Sequence, residues 1–135
     1  MKSRDLQLVK LRPEIPSARV SENMSLDEQF QNKTLRPIAK LQNELLLEVF
    51  RNYIKKHKNK FYELKLEQRL IYIENAIQKD VKFRNSLKGI IIGQFTLAEY
   101  ERYIENSSAL NKRMMNIVRE RLQSHIQLLE QEVAY

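Results

Sequence analysis

The chain has no cysteine, two glycines, three prolines and two histidines in 135 residues. Each shortage excludes something. Without cysteine there is no disulfide framework, no thiolate metal site and no thiol nucleophile. So few glycines and prolines cannot supply the tight turns of a β-sandwich or barrel. No window approaches the ~20 apolar residues of a membrane span. The opening "MKSRDLQLVKLRPEIP" has no apolar run long enough for a signal peptide. The expectation is a soluble cytoplasmic protein without a membrane partner.

What is abundant is helix-forming: Leu, Glu, Gln, Lys and Arg dominate. The length fits one domain, able to bury roughly two-thirds of its unfolded surface. The net charge is +7. It is +2 over residues 1–25, +4 over 26–60, +2 over 61–93 and −1 over 94–135. The positive excess is densest in "RNYIKKHKNK" (51–60). Such a patch suits nucleic acid or another acidic partner.

Along the chain, Pro13 and Pro16 point to an extended or partly disordered arm over residues 1–24. A single helical domain is expected over 25–135. Ser25 and Glu28 in "SLDE" form a capping box, opening a short helix to about Thr34. Pro37 then fits the first turn of a new helix from Leu35 to about His57. Its apolar residues, Leu35, Ile38, Leu41, Leu45, Leu46, Leu47, Val49, Phe50, Tyr53 and Ile54, cover much of its girth. Such a helix is either central or a subunit interface. Further helices are predicted over Leu66–Lys79, from the cap Asp80 to Gly93, after the capping box Thr96–Glu99, and from about Ala109 to Glu132. The fold class is all-α: a compact bundle of five or six helices with an extended N-terminal arm.

Both glycines lie in "KGIIIGQFTLAEYE" (88–101). No strand precedes Gly89 and no Lys-Ser/Thr pair follows Gly93, which excludes a phosphate loop. The apolar run is too short for a membrane helix–helix motif. Gly89 is expected to be a notch where another backbone crosses. Gly93 is expected to be the left-handed residue that stops the helix.

Candidate chemistry is sparse. Lys55, Lys56, Lys58 and Lys60 are the candidate nucleic-acid contacts, although cations at a helix C-terminus also stabilise its exposed carbonyls. Leu46, Leu47 and Gly89 are the candidate interface residues. His125 is a half-buried packing residue, or else a general base or a metal ligand without a paired partner, since the chain has no His-x3-His or Glu-x-x-His pattern. Glu44 and Glu48 sit one turn apart beside Lys40 and Arg51, as surface partners do. Met114 and Met115 read as core filler. "NKRMMNIVRERLQS" places Lys112, Arg113, Arg119 and Arg121 on one helix, but "YIENSSALNKRMM" resembles a DNA-reading helix pair only loosely, and the acidic balance of 94–135 argues against one. No catalytic residue, metal site or cofactor is assigned.

The stretches "QFQNKTLRPIAKLQNELLLEVFRNYI", "FRNSLKGIIIGQFTLAEY" and "NSSALNKRMM" resemble a family of short bacterial all-helical proteins, some carrying the label "glyoxalase". The resemblance spans most of residues 25–130 and implies a small helical fold. Enzymes properly called glyoxalases carry histidine and glutamate metal ligands on strands. That pattern is absent here, so no catalytic residue carries over. The expected role is non-catalytic protein–protein contact, with self-association into a homo-oligomer or binding of another protein. Nucleic-acid binding through the lysine patch is the second reading. An enzyme built on His125 or implied by the label is the third.

Overall fold

The computed structural model of the chain describes residues 3–130, and among these residues the regular structure is helical throughout, with no strand. The first helix, α1 (Ser3–Leu11), lies where the sequence pointed to an extended arm. Pro13 restricts only its own neighbourhood. Helix therefore forms up to Leu11, and an irregular segment begins at Arg12, the residue before the proline. The N-terminal segment also docks. Asn32 donates to the Arg19 carbonyl at 3.2 Å, and the Lys40 ammonium donates to the Glu14 carbonyl at 3.3 Å.

Ser25 caps α2 (Leu26–Phe30), its hydroxyl accepting from Glu28 N at 3.1 Å. The helix does not stop near Thr34. A wider π-helical turn, Gln31–Leu35, carries it into α3 (Arg36–Leu41). The widened turn lies just upstream of Pro37, where the proline has no N–H for the ladder and its ring would crowd the carbonyl four residues back. The break falls instead at Gln42 (φ −90°, ψ 5°), before α4 (Asn43–Lys56). The Gln42 side chain donates to the Ile90 carbonyl at 3.3 Å, across to another helix.

A short 3-10 turn (Lys60–Glu63) leads to α5 (Leu66–Lys79). Asp80 caps α6 (Val81–Ile92) by accepting from Phe83 N at 3.1 Å. The Thr96–Glu99 box opens α7 (Leu97–Ile104), with both reciprocal bonds formed, at 3.1 and 2.8 Å. The last long helix, α8 (Ser107–Ser124), ends eight residues before the predicted Glu132. His125 caps it, and a 3-10 turn, Ile126–Leu129, follows. Glu132 itself lies outside the described residues.

The helix at the centre of the bundle is α8. It packs on the π turn and on α3, α4, α5, α6 and α7. Leu110, Met114, Met115, Ile117, Val118 and Leu122 are buried along it. Its cations are therefore side-facing: Arg113 donates to Gln31 at 2.9 Å and Arg121 to Asn43 at 3.4 Å. Two aromatic clusters mark the core. One joins Phe50, Phe61, Tyr72 and Phe83, with Phe50–Phe61 centroids 5.6 Å apart at 82°. The other joins Phe30, Phe95 and Tyr103. Edge-to-face pairs of this kind add ~0.5–1.5 kcal/mol beyond their burial.

The glycines behave differently from the sequence reading. Gly89 is exposed, and a Cβ built there meets nothing within 4 Å, so no backbone crosses at a notch. Gly93 does end α6, but in ordinary right-handed geometry (φ −59°). Left-handed backbone occurs instead at Lys58 (φ 64°) and Asn59 (φ 57°).

Candidate nucleic-acid interface

Two of the expected interface residues are core residues. Leu46 and Leu47 are 0% and 4% exposed. Both of these α4 leucines are covered within the chain. Leu45 is the leucine of the three left exposed. Gly89, the third residue named for an interface, is open to solvent.

The lysine-rich end of α4 is built in more detail than its sequence reveals. Lys58 N donates to the Lys55 carbonyl at 3.2 Å, and Asn59 N donates to the Ile54 carbonyl at 3.0 Å. These are the paired bonds of a Schellman C-cap, with Lys58 in the left-handed position that glycine usually fills. Lys55, Lys56, Lys58 and Lys60 are all exposed around this cap.

A ladder of rings rises beside it. Phe83 of α6 is buried, and its centroid lies 4.2 Å from that of Tyr53. Tyr53 in turn stacks on His57 at 4.0 Å and 25°. His57 is exposed and ends the ladder at the surface. Its orientation is fixed: Nδ1 lies 2.8 Å from the Tyr53 carbonyl, which only accepts, so Nδ1 carries the proton and Nε2 faces away from that bond. The Tyr53 hydroxyl donates to Asp80 Oδ2 at 3.2 Å, tying α4 to the α5–α6 corner. Burial, followed by the charge and hydrogen bond of Asp80, pushes the Tyr53 phenol up to about 12. Burial also raises Tyr72. Both phenols stay neutral around pH 7.

Tyr53, His57, Tyr72 and Asp80 line an open cleft of about 510 Å³ with Asn75, Lys79 and Lys82. Asp80 is the carboxylate in its wall. Both of its oxygens are engaged, one by Tyr53 and one by Phe83 N.

Charge is divided unevenly between arginine and lysine. Every ion pair among the described residues uses an arginine: Arg4, Arg12, Arg36, Arg51, Arg69 or Arg102. Among the described residues none of the lysines around the cleft makes an ion pair. The spacing of Tyr53 and His57, i and i+4, was readable in the sequence. The junction with Phe83, Lys79 and Lys82 was not, because it depends on how α4 meets α6.

The other candidates sit elsewhere. His125 is half-buried at the end of α8 instead of midway along a stripe, with Nδ1 2.8 Å from the Arg121 carbonyl. It lines a depression of about 790 Å³ with Arg36, Glu120 and Ser124. Glu120 there faces Arg36 at 3.7 Å. Glu48 pairs with Arg51. Among the described residues no group of three or more His, Asp and Glu side chains gathers where it could hold a metal ion, and no helix is long and apolar enough to cross a membrane. No protein-family model, curated protein or solved structure matches this chain.

Proposed function

We propose that the protein binds a single strand of nucleic acid in the cleft between the end of α4 and the α5–α6 corner. The observation that carries this reading is the His57-capped ring ladder standing among lysines that have no ion pair. A single strand offers what those groups complement. Its bases have exposed π-faces that stack on histidine and tyrosine rings, at ~1–3 kcal/mol per base. Its phosphates release counterions to lysine. A duplex hides its bases from such a platform. Lys79 and Lys82 line the cleft, and Lys55, Lys56, Lys58 and Lys60, exposed around the cap that carries His57, extend the positive charge for the phosphates beyond it. Tyr72 and Asn75 supply a further ring and a hydrogen-bonding amide.

Stacking platforms of this kind tolerate any base, so the preference is for strandedness over sequence. Fluorescence anisotropy with labelled oligonucleotides of about 16 nucleotides tests the reading, since single-strand sites span ~4–16. The expected result is binding to single-stranded RNA or DNA at low salt, with the matching duplex at least several-fold weaker. Equal or tighter binding to the duplex would remove the stacking role of His57. No binding to any form at low salt would overturn the reading.

A further inference from the structure

A second depression, of about 810 Å³, is lined by the irregular segment after α1, by α2 and the π turn, and by the start of α7. It shares no residue with the cleft at the end of α4. All three prolines of the chain, Pro13, Pro16 and Pro37, line it. A proline ring is a rigid apolar surface with no N–H to satisfy. Phe30 is buried against it, while Val9 and Leu26, also in its lining, are 42% and 67% exposed. Small-molecule sites have this make-up and size: ~300–1,000 Å³, mainly apolar, with a few fixed polar groups.

Its polar side is built on Arg12, whose side chain is 8% exposed. Nη1 and Nη2 donate to the two Glu99 oxygens at 2.7 and 2.6 Å, and Nη2 also donates to the Gln94 carbonyl at 2.9 Å. Glu99 accepts from the Thr34 hydroxyl and from Thr96 N as well, so its acceptor capacity is taken. One donor is left over: Arg12 Nε is buried and has no acceptor. The other charged groups in the lining are Glu14, Arg19, Lys33 and Arg102. Arg102 is held by Asp27 at 3.1 Å. Among the described residues Arg19 and Lys33 have no carboxylate partner and Glu14 has no cation. Two unpaired cations thus stand against one unpaired carboxylate.

We propose that this depression binds a small molecule with an apolar body and a single carboxylate, the carboxylate at Lys33 and Arg19 and the apolar body against Phe30 and the prolines. The walls select that class. The unmatched N–H and the unmatched cations both call for acceptor oxygens, which an anion supplies and a neutral apolar molecule does not. A multiply charged anion asks for more than one surplus cation and makes no use of the proline and phenylalanine rings. The Arg12–Glu99–Thr34 bonds tie the N-terminal segment to the π turn and α7, so the walls are fixed before anything binds.

Fluorescence titration with dansyl-undecanoic acid, and with its methyl ester as the uncharged control, tests this. The acid is expected to bind saturably at one site, and the ester about fivefold more weakly, the range of an exposed charge contact. Lys33→Gln, at an exposed position, weakens the acid about threefold, and Glu14→Gln tightens it about twofold, because Glu14 repels the carboxylate. Ala98→Trp, at an exposed position of α7 in the lining, fills the depression and removes binding while the helical circular dichroism stays unchanged. No saturable binding of the acid, or an ester that binds as tightly, overturns the proposal. Binding that Ala98→Trp and Lys33→Gln both leave untouched lies elsewhere on the chain and overturns it as well.

Discussion

Lys58→Gly separates what the left-handed cap does for the fold from what it does for binding. Lys58 holds φ 64° at the end of α4. A side chain in that region costs roughly 1–2 kcal/mol. Glycine removes that cost but loses more chain entropy on folding, ~0.5–1 kcal/mol. The two cap bonds are backbone bonds and survive the substitution. The net expectation is a stability gain of about 0.5–1 kcal/mol. The same change deletes one of the six lysines around the proposed strand. Affinity should fall, and the slope of log K against log salt should become shallower by about 0.7. Urea unfolding followed by circular dichroism gives the first number; a midpoint shift at constant m reports stability alone. Anisotropy at several salt concentrations gives the second. Lys58→Asn is the companion variant, since asparagine tolerates left-handed backbone and also removes the charge. A destabilised Lys58→Gly would refute the strain argument. A stabilised variant with unchanged binding and slope would refute the placement of Lys58 at the site.

Three further variants probe other parts of the account. Gly89→Ala should stabilise the protein by ~0.5–1 kcal/mol, because the new methyl meets nothing within 4 Å and the helix gains propensity; a loss of stability on urea titration would restore the idea of a close approach there. Glu99 is half-buried, which alone would raise its pKa. Two bonds from Arg12 at 2.6 and 2.7 Å, with further bonds from Thr96 N and the Thr34 hydroxyl, outweigh burial and hold its carboxyl below the usual 4.5. The folded value lies below the unfolded one, so this carboxylate stabilises the fold above pH 4.5, and the contribution is lost as pH falls through the folded value. Glu99→Gln should cost about 3–5 kcal/mol by leaving the Arg12 side chain, 8% exposed, without its charge partner, and it should flatten the acid limb of the stability curve; an unchanged limb would contradict this. His57→Ala should weaken single-strand binding about tenfold with little change in unfolding midpoint, as expected for an exposed stacking ring; an unaltered affinity would remove it from the site.

The readable parts of the fold were those set by local chemistry. Ser25, Asp80 and Thr96 each cap the helix that the sequence assigned to them, because a side-chain oxygen three residues before an orphan N–H acts within one turn. The 66–79 helix has the bounds its periodicity predicts. Features decided by distant partners were not readable. The helicity of α1 goes with bonds from Arg4, Asp5 and Arg12 to the α6–α7 junction, about ninety residues away. The kink at Gln42 carries no proline or glycine, and its side chain is bonded to Ile90. On one uninterrupted helix Leu47 would fall among Arg36, Lys40 and Arg51, yet it is core. Glycine was a poor guide to left-handed backbone, which occurs at Lys58 and Asn59. The site was half legible. The lysines were singled out, the Tyr53–His57 pair at i, i+4 was not, and Phe83, Lys79 and Lys82 come to that pair only through packing.

The most direct test of the binding account is the salt dependence of affinity for one labelled single-stranded oligonucleotide, comparing the native chain with Lys79→Gln/Lys82→Gln. Six lysines meeting phosphates predict a slope of roughly −4 in log K against log salt, and the double variant should fall to roughly −3. A flat salt response, or a slope that the double substitution leaves untouched, would contradict it.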